Sequence, residues 1–199
     1  MEENVEAGRS AKKKITPKSL TNQQIALGLG KITPQAVDME EAVLGALMLE
    51  KNALTTVIDI LHPDSFYKEA HQKIFKVIRD LFNKAEPIDI LTVTHALKKA
   101  GDLELVGGAF YITQLTNRIA SAANIEFHAR IILQKFIQRE LIRISSETIK
   151  SAYEDTSDVL KMLDDAEKNL FAIAEGNIRR NYESMNALVS KAIKEIEIA

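Results

Sequence analysis

Between Asn124 and Tyr153 the chain runs for roughly 30 residues without a glycine or a proline, far beyond the usual helix length of about 11–12. Phe127, Ile131, Ile137, Leu141 and Ile144 recur along it at helical spacing, and Ile125, Ile132, Leu133 and Phe136 widen the stripe in its first half. The polar stretch Glu154-Asp155-Thr156-Ser157 follows. A second helical pattern then runs from about Asp158 to Glu175, with Val159, Leu160, Leu163, Ala166, Leu170, Phe171 and Ile173, and is expected to stop at Gly176. Two long helices joined by a short turn predict an antiparallel hairpin over 121–176. Such a pair cannot cover both of its own sides. The surplus apolar surface must meet either the rest of the chain or a second copy, and the second copy is the favoured reading.

The segment before the hairpin reads as a small bundle over 34–120. Val37, Leu44, Leu47 and Met48 share a helical face, and Asp38 with Glu41 has capping-box spacing. Asn52 is placed to cap a short helix with Leu54, Val57, Ile58 and Leu61 inward, which ends before Pro63. A third helix is predicted over about Tyr67–Lys84, with Ile74, Phe75, Ile78, Leu81 and Phe82 apolar. Asp89 suits the N-cap of a fourth, which Gly101 closes. Gly107-Gly108 opens a fifth, about Ala109–Arg118. No strand is expected.

The ends differ from this body. Residues 1–33 lack periodicity and read as a flexible arm, with a short helical stretch conceivable at Gln23–Leu29. They carry six Lys/Arg against three Glu, a net +3, while the remainder stands at −5. A body of that sign is a poor footprint for duplex DNA. The run Lys12-Lys13-Lys14 reads first as a solvated tail, with phosphate contact as the alternative. After a polar linker from Asn177, Met185, Leu188, Val189, Ala192, Ile193 and Ile196 form a clean amphipathic stripe that reaches the end of the sequence without a cap. The expectation is a fragment of a longer protein, or a subunit that lends its last helix to a partner.

Chemistry is hard to find. There are no cysteines, which excludes disulfides, thiol catalysis and Cys-based zinc sites. No apolar run approaches a membrane span, and no signal-peptide core is present in the first 30 residues. A cytosolic setting fits this best. Gly107-Gly108-Ala109-Phe110 lacks the Gly-Lys-Ser/Thr that completes a phosphate loop. His62, His71, His95 and His128 are 9, 24 and 33 residues apart, so no pair has metal-site spacing, and each is expected to be a surface or half-buried histidine. Glu40-Glu41 and Asp164-Asp165 are expected to face solvent. The expectation is an interaction module without catalytic, cofactor or metal sites.

An ordered set of motifs adds a resemblance. Asp38-Met-Glu-Glu-Ala-Val-Leu-Gly-Ala-Leu-Met-Leu49 looks like the opening helix of the N-terminal domain of bacterial replicative DNA helicases of the DnaB type. His62-Pro-Asp-Ser-Phe-Tyr67 with His71 and Ile74-Phe75 resembles the next signature. Pro87-Ile-Asp89, Thr92-Val93, Leu97, Gly101, Leu103, Gly107-Gly108 and Tyr111-Ile112 continue it. Asn124-Ile-Glu-Phe-His-Ala-Arg-Ile-Ile132 is similar to the start of the family's hairpin, with His128 where tyrosine is common. The resemblance covers about residues 34–176 and leaves the arm 1–33 without a counterpart.

The resemblance implies an all-α fold: a globular multi-helix bundle, a long hairpin and an amphipathic linker helix in 177–199. It implies a collar domain of a hexamer in a bacterial cytoplasm at the replication fork, with ATP and magnesium used by a motor domain absent from this chain. Homo-oligomers, dimer or hexamer, would pair through Phe127, Ile131, Phe136, Leu141, Leu163, Leu170 and Phe171. Primase would meet Arg139, Arg143, Glu147 and Lys161. Met185, Leu188, Val189, Ala192, Ile193 and Ile196 would dock on a neighbour. A helicase loader is a further possible partner, and DNA would be met mainly through the motor domain. The alternative is the helicase-binding domain of a primase, or a free-standing adaptor.

Overall fold

The computed structural model describes residues 32–50, 52–117, 123–154 and 158–181, with side chains as far as Glu175 in the last helix. The arm's helical stretch at Gln23–Leu29 and the stripe Met185–Ile196 lie outside the described residues. Among the described residues seven α-helices follow one another: α1 (Val37–Leu49), α2 (Ala53–Val57), α3 (Glu69–Asn83), α4 (Ile90–Ala100), α5 (Gly108–Asn117), α6 (Ile125–Ala152) and α7 (Val159–Asn181). A 3-10 turn, Pro63–Ser65, joins α2 to α3. Among the described residues there is no strand, and no helix is long and apolar enough to cross a membrane.

Helix α1 is the axle of the globule. It touches α2, α3, α4, α5 and α6, and its run from Val43 to Met48 is buried throughout. A helix surrounded in this way needs apolar or small residues on most of its faces, which Val43-Leu-Gly-Ala-Leu-Met48 supplies. The expected capping box does not form. Ala36 holds the N-cap position without a side-chain bond, and Asp38 sits inside the first turn. Its charge still faces the positive end of the helix dipole there. Glu41 is turned instead toward Lys68 and Tyr111.

The remaining globule helices follow their apolar periods. In α3, His71, Ile74, Phe75, Val77, Ile78 and Leu81 are buried, whereas Phe82 stands 39% exposed. Phe66 enters the core from the 3-10 turn and packs against Phe75, the ring centroids 5.0 Å apart and the planes tilted by 38°. Helix α4 is capped as its sequence predicts. Asp89 accepts the amides of Leu91 and Thr92, each at 2.8 Å, and Thr92 Oγ1 accepts the Asp89 amide at 2.9 Å. Gly101 ends the helix at φ 77°, a left-handed conformation that costs glycine least.

The hairpin helices are anchored unequally. Along α6, Ile125, Ala129 and Ile132 join the core, and the helix lies across α1, α2 and the 3-10 turn. Helix α7 touches α6 and no other described element, and none of its described side chains is buried. Asp158 caps it through the Leu160 amide at 3.0 Å. The expected stop at Gly176 does not occur, and α7 continues to Asn181. Glycine inside a helix costs only about 1 kcal/mol relative to alanine, so an isolated glycine does not end one.

Candidate interaction surface on the helical hairpin

Of the seven residues expected to mediate self-association, five lie on the surface. Phe127, Leu163 and Phe171 are 65%, 63% and 64% exposed, and Leu141 and Leu170 are exposed as well. Ile131 and Phe136 are partly covered within the chain. Four more apolar side chains near the closed end, Ile149, Tyr153, Val159 and Leu160, are exposed too. Val159 and Leu160 belong to the apolar pattern of the second helix. Ile149 and Tyr153 escaped the sequence reading because they flank serines, threonine and lysine rather than the stripe. The hairpin thus carries apolar surface along both of its helices.

The four residues expected to meet a partner divide three to one. Glu147 and Lys161 line one cleft of about 410 Å³ between α6 and α7, together with Asp158, Met162, Asp165 and Ala166. Arg143 reaches Glu147 at 2.8 Å and Glu140 at 2.8 and 3.0 Å. Those bonds, the Glu140 bond first, raise the guanidinium pKa above its ordinary value. Arg139 is the exception and a correction: it is buried, not on a partner surface. It donates to the carbonyls of Pro34 at 3.1 Å and Ser65 at 2.7 Å, which removes it from solvent.

A second polar cluster braces the globule. Glu40 and Glu41, expected to face solvent, and His71, expected at the surface or half-buried, are all buried. Glu40 accepts the Tyr67 amide at 2.7 Å and pairs with His71 Nδ1 at 2.6 Å. His71 Nε2 lies 2.7 Å from the Tyr111 hydroxyl, which donates to Glu41 at 3.3 Å. Lys68 reaches Glu41 at 3.2 Å. The chain of bonds ties α1, α3 and α5 together and satisfies groups whose burial would otherwise be costly. No sequence period reveals it, because each member is a polar residue on a mostly apolar face. Among the described residues, no group of three or more His, Asp or Glu side chains is placed to hold a metal ion.

The fold and this surface define a class: an all-helical module in which a small globule carries a protruding, under-covered hairpin. Residues 32–134, more than half of the chain, match the model of the DnaB-like helicase N terminal domain. The chain belongs to that family. It is 39% identical over 168 residues to the replicative DNA helicase DnaB of Rhodothermus marinus, covering 84% of this chain and 18% of that protein. It is 35% identical over 167 residues to the replicative DNA helicase DnaC of Bacillus subtilis (strain 168), covering 84% and 37%. The crystal structure of the N-terminal domain of DnaB helicase from Mycobacterium tuberculosis matches with a TM-score of 0.68 at 32% identity, over 71% of this chain and 99% of that one. A structure described as a DnaB-like replicative helicase and its interactions with primase shares the fold, with a TM-score of 0.65 at 24% identity over 82% of this chain and 37% of that one. The chain therefore spans well under half the length of the curated relatives it matches here.

Proposed function

We propose that this chain is the N-terminal collar domain of a hexameric replicative DNA helicase of the bacterial cytoplasm, in which a globule over 34–120 carries a pairing hairpin over 121–176. The observation that carries the reading is α7. It is supported from one side only, by α6, and holds Leu163, Leu170 and Phe171 toward solvent. Burying such side chains contributes about 1.5–3 kcal/mol for each one fully covered. A second hairpin is the partner that offers the same stripe in return. Family membership supports the rest: primase recruitment at the replication fork, and coupling to an ATP- and magnesium-dependent motor that holds the DNA and receives a loader. The apolar stripe Met185–Ile196 couples collar to motor in this reading.

Sedimentation velocity over a micromolar concentration series tests the pairing. The native chain should associate, and Leu163→Asp with Phe171→Asp should shift it to monomer while its helical content is retained. A native chain that stays monomeric throughout, or a double variant that sediments as the native chain does, overturns hairpin pairing. Phe136→Asp is a weaker test than its helix position suggests, because the Phe136 ring lies 5.8 Å from the buried Arg139 guanidinium. For primase, the charge reversals Glu147→Lys and Lys161→Glu should weaken capture of purified primase without changing sedimentation. Unchanged capture would remove the cleft from the proposal.

A further inference from the structure

Arg139 is a buried cation whose hydrogen bonds go to backbone rather than to a carboxylate. It is 3% exposed, and its Nη1 and Nη2 donate to Pro34 O at 3.1 Å and Ser65 O at 2.7 Å. Its guanidinium carbon lies 5.8 Å from the ring centroids of both Tyr67 and Phe136. Burial lowers its pKa, and Glu40, Glu140 and Tyr67 oppose that effect. A guanidinium nevertheless keeps its charge in proteins. A charge held this way tolerates little displacement, because each lost bond leaves a desolvated donor behind.

Its place in the fold gives the contact a use. Arg139 lies seven residues beyond Ile132 on α6, and Ile132 is the last residue of α6 that is fully buried in the globular core. Past Arg139 only Ile144 is buried on α6, and from Ser145 to Ala152 nothing is. Both accepting carbonyls belong to segments outside α-helices: the stretch 32–36 that leads into α1, and the 3-10 turn. Apolar packing is non-directional and tolerates small rolls of one helix on another. Two hydrogen bonds diverging from one planar group are directional.

We propose that Arg139 is a positioning latch that fixes the tilt of the hairpin against the globule. The stretch from Arg139 to Ala152 is about 20 Å long, so a tilt of about 10° moves the closed end by about 3 Å. That displacement is enough to spoil the seating of ridges in grooves between helices. The latch is a property of the single chain. Its consequence for assembly rests on the hairpin-pairing reading.

The chain has no cysteine, which makes site-specific labelling simple. Dyes at Lys98→Cys on α4 and Lys168→Cys on α7, both exposed positions, report the tilt by single-molecule energy transfer at picomolar concentration. The parent should give one narrow distance population. Arg139→Gln, neutral and too short to reach both carbonyls, should shift and broaden it. Arg139→Lys, which keeps the charge without the fork, should fall between. A lower melting temperature with an unchanged distance population would make Arg139 merely structural and overturn the latch. If Arg139→Gln does not fold, the native side chain decides. Separately resolved, slowly rotating Nη protons in its NMR spectrum support the latch, and averaged ones overturn it. A native chain that stays monomeric in sedimentation would defeat the pairing reading alone and leave the distance result standing.

Discussion

Helix α1 and helix α7 each carry three leucines and have opposite surroundings. The first is enclosed by five other helices, the second leans on one. Leu44 and Leu47 are 0% and 1% exposed in α1, while Leu160 and Leu163 in α7 are 74% and 63% exposed. The contrast separates two uses of apolar surface. In the globule it makes the fold stable. In the hairpin it remains available, so it can hold subunits together only if another surface arrives. Polar groups follow the same division. The globule buries Glu40 and His71 inside a satisfied network, whereas the hairpin keeps Glu147 and Lys161 in an open cleft.

The comparison predicts a gradient of mutational effects. The largest belongs to Phe75→Ala, which empties a fully buried site against Phe66 and should cost about 3–5 kcal/mol in urea unfolding. A loss under about 1 kcal/mol would show that the globule is not the stable half. Glu40→Ala comes next. It strands the Tyr67 amide and the His71 ring, at about 1–3 kcal/mol for each group left unmet. Its effect should shrink when Tyr67 and His71 are exposed by other means, so a double-mutant cycle with His71→Ala should be strongly non-additive.

Asp89→Ala should cost about 1 kcal/mol, the typical value of a lost N-cap. The Thr92 amide above all, helped by the Thr92 side chain and the Leu91 amide, holds the Asp89 carboxylate below its ordinary value against the opposing effect of desolvation. Its folded pKa therefore lies below the unfolded one. The cap's contribution is fully present above the ordinary carboxylate value of 3.8 and is lost as pH falls through the folded value. Unfolding midpoints of the parent and Asp89→Asn should converge as the pH is lowered from 5 to below 3. The smallest stability effect is expected at Phe171→Ala, within about 0.5 kcal/mol at concentrations where the chain is monomeric. The same substitution should weaken association clearly in sedimentation. A large monomer destabilisation there would mean that the hairpin's stripe is spent inside the chain, and the contrast between the two regions would collapse.

Much of this architecture is legible in the residues alone. The helical periods place α3, α4 and α6 to within a few residues, and Asp89 and Gly101 mark both ends of α4 because their chemistry acts locally. The ordered motifs from Asp38 to Ile132 are sufficient to indicate the family. The hairpin stripe is also readable, since apolar spacing says which face of a helix avoids water. Spacing does not say what lies opposite. Gly176 reads as a stop, but the cost of a glycine within a helix is too small to enforce one, and α7 passes through it. Asp38 and Glu41 have the spacing of a cap, yet Glu41 has better partners in Lys68 and Tyr111, 27 and 70 residues away in sequence.

The helices, their order and their amphipathic faces follow from the residues alone, because they depend on interactions within a few residues of one another. Long-range packing, by contrast, puts Glu40 and His71 inside the globule and joins Arg139 to Pro34 and Ser65, 105 and 74 residues away along the chain. A polar side chain is normally left in water because burying it unpaired is costly. That cost vanishes only where distant segments bring the missing hydrogen-bond partners, and the packing of the whole chain brings them there.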